Sequence, residues 1–451
     1  MKTARSRVDV IDAARTAVLL GVIALQPMTY VFRQRVGLGA GVALLVVVAL
    51  VAWRLNPSRS LRVAPALIVL LMIGLILLSA VLASDSSNFS VLLSVYFLIA
   101  YVLSQAYGRE EFPAFYAKAM YWLSAYSLVA TYVIIAFSSL FVGVLPEVLV
   151  FEKGMRLLDA GLCYVYIPYD GVQLRNFSIF SEPGMLQFFV LLALVFELGL
   201  VKPEQRSPVR VLVFTLTLVS TFSPVGLVGG LLVWAGYILS RNAEGTRLRT
   251  TVGWALTAVA LVYLLIPTVA VEVDNAMGKF GGLSGGQQHG SSAGSRLRSA
   301  TGMLEAGLDR PWAGWGYQAV STDVMEEYVH EYTYDNTNTM ATNFALYGLA
   351  YALLYALLFY RYFLGAKTSA VFKVLTLIAM TLSINNERLI DSTVVIVLLL
   401  QAAPSLRRAH ALGGTRDGNR LESGLNLRMG RRPPLLVSAP LGENLPGEPC
   451  E

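Results

Sequence analysis

Twelve apolar stretches, some of them short, run along the 451 residues, at roughly 16–32, 36–53, 63–84, 89–107, 119–144, 184–201, 209–221, 224–240, 251–271, 339–361, 368–384 and 389–403. A bilayer core takes about 20 apolar residues per helix. The pattern therefore predicts an all-α polytopic membrane protein with about 12 transmembrane helices. No small-residue cleavage site follows the first stretch and another apolar segment begins almost at once, so it reads as a retained helix, not a cleaved leader. Two polar intervals are long, 145–183 and 272–338. Intervals longer than about 15 residues are usually functional or disordered. The predicted organisation is a transmembrane domain over 1–403 and a disordered tail over 404–451, rich in Gly, Pro and Arg.

Composition agrees with this pattern. The chain is 55% hydrophobic and 14% charged, against roughly 25% charged in soluble domains. That excludes an ordinary soluble enzyme, a disordered chain and a small disulfide scaffold. The net charge of +6 would by itself suggest a nucleic-acid partner, but its distribution removes that reading. With the N-terminus inside, the inner segments carry 25 of the 35 basic residues and sum to +14, while the outer segments sum to −7. Most of the positive charge is an orientation signal that places both termini in the cytoplasm. Arg33 and Arg35 in the first outer turn depart from the pattern. Only two cysteines, Cys163 and Cys450, and three histidines occur. The cysteines fall on opposite sides of the membrane, and the expectation is a chain without metal or cofactor.

Both long intervals fall on the outer side. Against their acidic background Arg175, Arg296, Arg298 and Arg310 stand out. Arginine suits a two-point grip on phosphate, so these residues either bind a pyrophosphate headgroup or are solvated or paired loop residues. Glu182 directly precedes Pro183 at the start of an apolar stretch. It is either an N-terminal charge on a helix, favoured by about 0.3–1 kcal/mol, or a general base or partner of Arg175. The interruption SINNERLIDST, 383–393, brings Glu387, Arg388 and Asp391 near membrane depth, where ionisable groups are often functional unless the turn reaches water. TFSPVG, 221–226, is a polar turn between two short helices. The run 326–336, which includes Tyr332, suits sugar rings by stacking and hydrogen bonding, or an interfacial aromatic belt. GGLSGGQQHGSSAGS, 281–295, reads as a flexible linker. It precedes an amphipathic segment, 296–309, with Leu297, Met303, Leu304 and Leu308 near helical spacing, ended by DRPWAGWG.

The stretch 295–318, SRLRSATGMLEAGLDRPWAGWGYQ, resembles the signature of the O-antigen polymerase and O-antigen ligase superfamily. There an Arg opens an amphipathic segment that ends about fifteen residues later in P-x-x-G-x-G; Arg296, Pro311, Gly314 and Gly316 fall on those positions. TFSPVG and NFSIFSEPG are similar to features of the polymerase branch. The resemblance implies a metal-independent membrane glycosyltransferase in the bacterial inner membrane. It would polymerise undecaprenyl-diphosphate-linked repeat units at the periplasmic face, for O-antigen, capsule or exopolysaccharide. Membrane lipids, a flippase and a chain-length regulator would be its other partners, and nucleic acid would not. Arg296 matches the polymerase signature. Arg175 and Glu182 are placed opposite it as further catalytic candidates, with Arg298, Arg310, Arg388, Asn338 and Tyr332 as substrate-binding candidates. Ligases usually carry a His where this chain has Asn338, which favours the polymerase. The alternatives are a ligase moving finished glycan to an acceptor and, from another class, a polysaccharide or lipid flippase. A flippase calls for paired ionisable residues deep in helices and internal repeats. Glu197 is nearly alone at such depth, and no two halves of the chain match.

Overall fold

A computed structural model describes residues 2–56, 61–150, 156–167, 175–240, 292–329 and 338–403 of the protein. Helices cover all or part of eleven of the twelve apolar stretches, and the stretch 251–271 lies outside the described residues. So do the tail 404–451 and, within the interval 272–338, residues 272–291 and 330–337. Among the described residues five helices are long and apolar enough to cross a membrane. The first of these are α3 (Val63–Leu82), α4 (Phe89–Ala106) and α5 (Phe112–Ala136); α1 (Lys2–Ala24) and α2 (Leu38–Arg54) precede them. The architecture is that of a mostly helical membrane protein.

The departure from an all-α chain lies in the first long interval. After the one-turn helix α6 (Ser138–Phe141), β1 (Glu147–Val150), β2 (Arg156–Asp159) and β3 (Tyr164–Ile167) form an antiparallel sheet in the order β1-β2-β3. Leu157, Leu158, Tyr164 and Val165 are buried there, which polar composition alone does not reveal. Residues 175–181 run as extended and turn segments beside residues 28–30, where the Tyr30 N–H donates to the Ile179 carbonyl at 2.8 Å.

The centre of the bundle is α7 (Pro183–Val195), extended by a π-helical turn through Leu200. Every residue from Gly184 to Leu198 is buried. A helix that is apolar all round belongs inside a bundle. By contrast, α3 exposes Leu67, Leu70, Leu71, Leu78 and Val81 along one side, as a helix facing lipid would. α7 packs against α8 (Pro208–Ser220) and α9 (Pro224–Leu239). α9 brings Gly229 so near Leu191 that a Cβ there would lie 2.8 Å from its Cδ2. Small residues of this kind let membrane helices approach closely.

The C-terminal part comprises α10 (Ser292–Asp309), α11 (Gly316–Ser321), α12 (Thr339–Leu364), α13 (Ala370–Ile384) and α14 (Thr393–Gln401). α10 takes in the last residues of the expected linker. α14 is only nine residues long, because the turn 385–392 consumes the start of the apolar stretch. α12 contains a break at Gly348, whose φ of 78° is accessible at low cost only to glycine. The PWAGWG turn docks on that break. Trp315 N–H donates to the Ala345 carbonyl at 2.8 Å, and Leu349 N–H donates to the Pro311 carbonyl at 2.7 Å. A backbone interruption within an apolar helix persists where neighbouring protein satisfies its polar groups. A Cβ on Gly314 would lie 2.4 Å from the Leu346 carbonyl oxygen. Gly314 thus serves a backbone-to-backbone joint between the end of α10 and the middle of α12, while Gly316 lies against Ala83 and Asp85.

Candidate functional site

The successive turns of α7, α8, α9 and α13 define two ends of the bundle. At one end lie Glu182, the α8–α9 turn and the α13–α14 turn. The start of α10 and the start of α12 join them through hydrogen bonds. Asn338 caps α12 by accepting from the Ala341 N–H at 2.9 Å. The Thr339 hydroxyl donates to the Glu387 carbonyl at 2.5 Å and accepts from the Leu389 N–H at 2.9 Å. The turn carrying Glu387 is thereby fixed to the head of α12.

The Glu387 side chain is buried, and its residue is 1% exposed. One Oε1 accepts from the Asn386 amide at 2.8 Å and lies 3.5 Å from Nη1 of Arg296. The same Nη1 donates to the Asn386 carbonyl at 3.0 Å. Arg296 stays partly open to solvent, with 32% of its side chain exposed. The carboxylate rests against the first turn of α7: a Cβ on Gly184 would sit 1.8 Å from Glu387 Oε1. Pro183 starts that helix at a position where its missing N–H costs nothing. Glu182 occupies the N-cap position in extended conformation without accepting a capping bond, so it does not make the capping contact that its place in the sequence suggests.

Burial pushes the Glu387 carboxyl up to about 8. Arg296 opposes that shift, Glu182 adds to it, and the Asn386 hydrogen bond and Arg175 oppose it. All three catalytic candidates of the sequence analysis are therefore within electrostatic reach of one buried carboxyl. Glu387 itself is the member that the sequence marks only as one of three ionisable residues in a turn. Its selection over Arg388 and Asp391 depends on how that turn folds. Arg175, in the segment before α7, is held against the α8–α9 turn, where its Nε donates to the Thr221 carbonyl at 3.1 Å. Beside it Phe222 and Ser178 adopt φ of 45° and 53°. Bulky residues rarely hold such a conformation, and strain of this kind gathers at functional sites. A buried polar relay lies just beneath: the Gln187 amide donates to the Ser383 hydroxyl at 2.6 Å, and the Ser223 hydroxyl donates to Gln187 Oε1 at 3.4 Å.

The remaining candidates lie elsewhere. Arg298 is half-buried on α10, about 200° further round the helix than Arg296. The Arg310 guanidinium stacks 3.8 Å from the ring centroid of Trp315, whose indole N–H donates to the Ala306 carbonyl at 2.7 Å. Arg388 lies over the stacked rings of Phe89 and Tyr317, at 5.6 and 5.5 Å. Tyr332 and His330 fall outside the described residues. Glu197 is not isolated, contrary to the sequence reading: Arg210 grips both of its oxygens, at 2.9 and 2.8 Å.

Comparison of the chain with protein families, curated proteins and solved structures finds no match. The chemistry of the site is therefore argued from its own geometry. Two guanidinium groups, one partly open to solvent, and two carboxyls at the end of a buried helix can grip an anionic leaving group and move one proton.

Proposed function

We propose that the protein is a membrane glycosyltransferase that polymerises undecaprenyl-diphosphate-linked oligosaccharides at the periplasmic face of the bacterial inner membrane. The chain would cross the membrane about twelve times, with both termini in the cytoplasm. The observation that carries this reading is the gathering of Arg296, Arg175 and Glu182 around Glu387 at one end of the bundle. Arg296 is more than a hundred positions from Arg175 and Glu182, and Arg296 and Glu182 belong to the segments that resemble the polymerase signature.

In this reading Arg296 and Arg175 hold the lipid diphosphate and stabilise the charge that develops on it as it leaves. The acceptor sugar hydroxyl attacks the anomeric carbon of the growing chain. A carbon–oxygen bond forms there, the bond to the diphosphate breaks, and the diphosphate departs with the electron pair. Glu182 takes the hydroxyl proton. Glu387 acts as a positioning residue: its Oε1, 3.5 Å from Arg296 Nη1, keeps the guanidinium in place until the substrate supplies an anion.

The test is the surface-glycan ladder of a strain lacking the gene and complemented with variants. Wild type should restore long chains, and Arg296→Ala should leave single-unit caps while the protein remains inserted. Normal chain length with Arg296→Ala would sink the assignment. Loss of all surface attachment, with long lipid-linked chains accumulating in the deletion strain, would replace polymerase by ligase.

A further inference from the structure

The opposite end of α7 holds a cavity of about 600 Å³, within the range of small-molecule sites. Its basic lining comes from three separate turns: Arg109 between α4 and α5, Lys202 and Arg206 between α7 and α8, and Lys367 between α12 and α13. Glu110 is the one acidic lining residue among the described residues. It lies 3.6 Å from Lys367 across a pair whose side chains are 75% and 94% exposed, so solvent screens that contact.

The arginines are held in place by main-chain oxygens. Arg109 Nη2 donates to the Tyr362 carbonyl at 2.9 Å, and its guanidinium lies 5.5 Å from the Tyr362 ring centroid. Gly365 leaves room for it, since a Cβ there would fall 2.3 Å from Nη2. Arg206 Nε donates to the Val201 carbonyl at 2.9 Å. A guanidinium carries five N–H donors, so each retains several. Neither Arg109, Lys202 nor Arg206 makes an ion pair with a described carboxylate. Arg210, four residues after Arg206, is by contrast neutralised by Glu197. Among the described residues, basic side chains outnumber acidic ones around a concave space, which favours an anion there. Leu198 and Phe372 supply an apolar wall beside it.

We propose that this cavity binds a phosphate-bearing anion. The same chemistry is offered by the headgroup of an anionic phospholipid, with its acyl chains along the apolar wall, and by a soluble phosphate compound. Basic pockets between membrane helices suit such headgroups. The inference does not depend on the glycosyltransferase reading, and both ends can be tested separately.

The full-length protein in detergent would be titrated with phosphatidylglycerol, phosphatidylcholine or inorganic pyrophosphate while its thermal unfolding midpoint is followed. A saturable rise with phosphatidylglycerol and none with phosphatidylcholine supports a lipid headgroup. A saturable rise with pyrophosphate alone supports a soluble source. Lys202→Gln with Arg206→Gln should weaken either response about tenfold. Native mass spectrometry of the wild type, comparing retained phosphatidylglycerol with phosphatidylcholine, keeps the test decisive if the double variant fails to fold. The proposal is overturned if neither anion is retained or shifts the midpoint, or if the double variant responds as the wild type does.

Discussion

Two buried glutamates lie near the two ends of the same central helix, each beside an arginine, and they are satisfied to different degrees. Glu197 is fully buried and receives two hydrogen bonds from Arg210, at 2.9 and 2.8 Å, and a third from the Ser207 N–H. Glu387 is buried almost as deeply, but it has one hydrogen bond from Asn386 and one arginine nitrogen at 3.5 Å. Breaking a buried, fully bonded pair costs stability and yields no chemistry. A buried carboxyl beside a partly exposed guanidinium is poised differently, because the arginine keeps donors for an incoming anion. The completeness of the bonding, more than the presence of charge at depth, separates a structural ion pair from a candidate site.

The largest effect expected from this contrast concerns Arg296. Replacing it with Ala should lower chain extension by at least about a hundredfold, the scale of losing a preorganised donor to a developing anion. The amount of folded protein in the membrane should stay near wild type. Arg175→Ala should act in the same direction. Arg210→Ala should do the reverse: a drop of about 3–5 kcal/mol in stability, because Glu197 is left buried without its partner. Its readout is the yield and thermal midpoint of the purified protein. An Arg210 variant that folds normally, or an Arg296 variant that does not fold, would break the distinction between the two pairs.

The helical framework is legible in the sequence because apolar length reports directly on the bilayer. α3 begins at the predicted residue and ends two residues early. α10 covers the segment predicted from Leu297, Met303, Leu304 and Leu308. The sheet over 147–167 was hidden because its strands are four residues long and lie in an interval otherwise read as loop. At the site, arginines against an acidic background pointed to Arg296 and Arg175. Nothing in the spacing, however, says that Arg310 stacks on Trp315 or that Arg388 lies over two rings. Both placements follow from turns whose direction depends on distant helices. Glu387 is obscure in the sequence for the same reason. Its role depends on Gly184, some two hundred positions earlier, lacking a side chain.

Gly184 gives a smaller and sharper perturbation. A methyl group there would meet Glu387 Oε1 at 1.8 Å, and the carboxyl is the flexible end of its side chain, so it should swing away at a stability cost of about 1–3 kcal/mol. Gly184→Ala should therefore fold, yet reduce chain extension about tenfold as Arg296 loses its registered partner. Unchanged activity in a folded Gly184→Ala protein would mean that the position of the carboxyl does not matter to the reaction.

The smallest effect is a dependence on pH. Glu387 has its carboxyl raised from the ordinary range to about 8 by burial. The folded protein then binds a proton that the unfolded chain releases above about 4.3. A raised carboxyl favours folding below the unfolded value, and that contribution declines as pH climbs through 8. Between about pH 5 and pH 8 this one group should tilt stability downward by about 1 kcal/mol per pH unit. Glu387→Gln keeps the size and the hydrogen-bonding capacity while removing the titration. The difference in stability between wild type and Glu387→Gln should therefore slope across that interval. Chain extension provides the second readout. A positioning residue should be replaced by Gln with much of the activity kept, whereas a proton acceptor could not be. Loss of activity in Glu387→Gln as complete as in Arg296→Ala would move the proton-accepting role from Glu182 to Glu387.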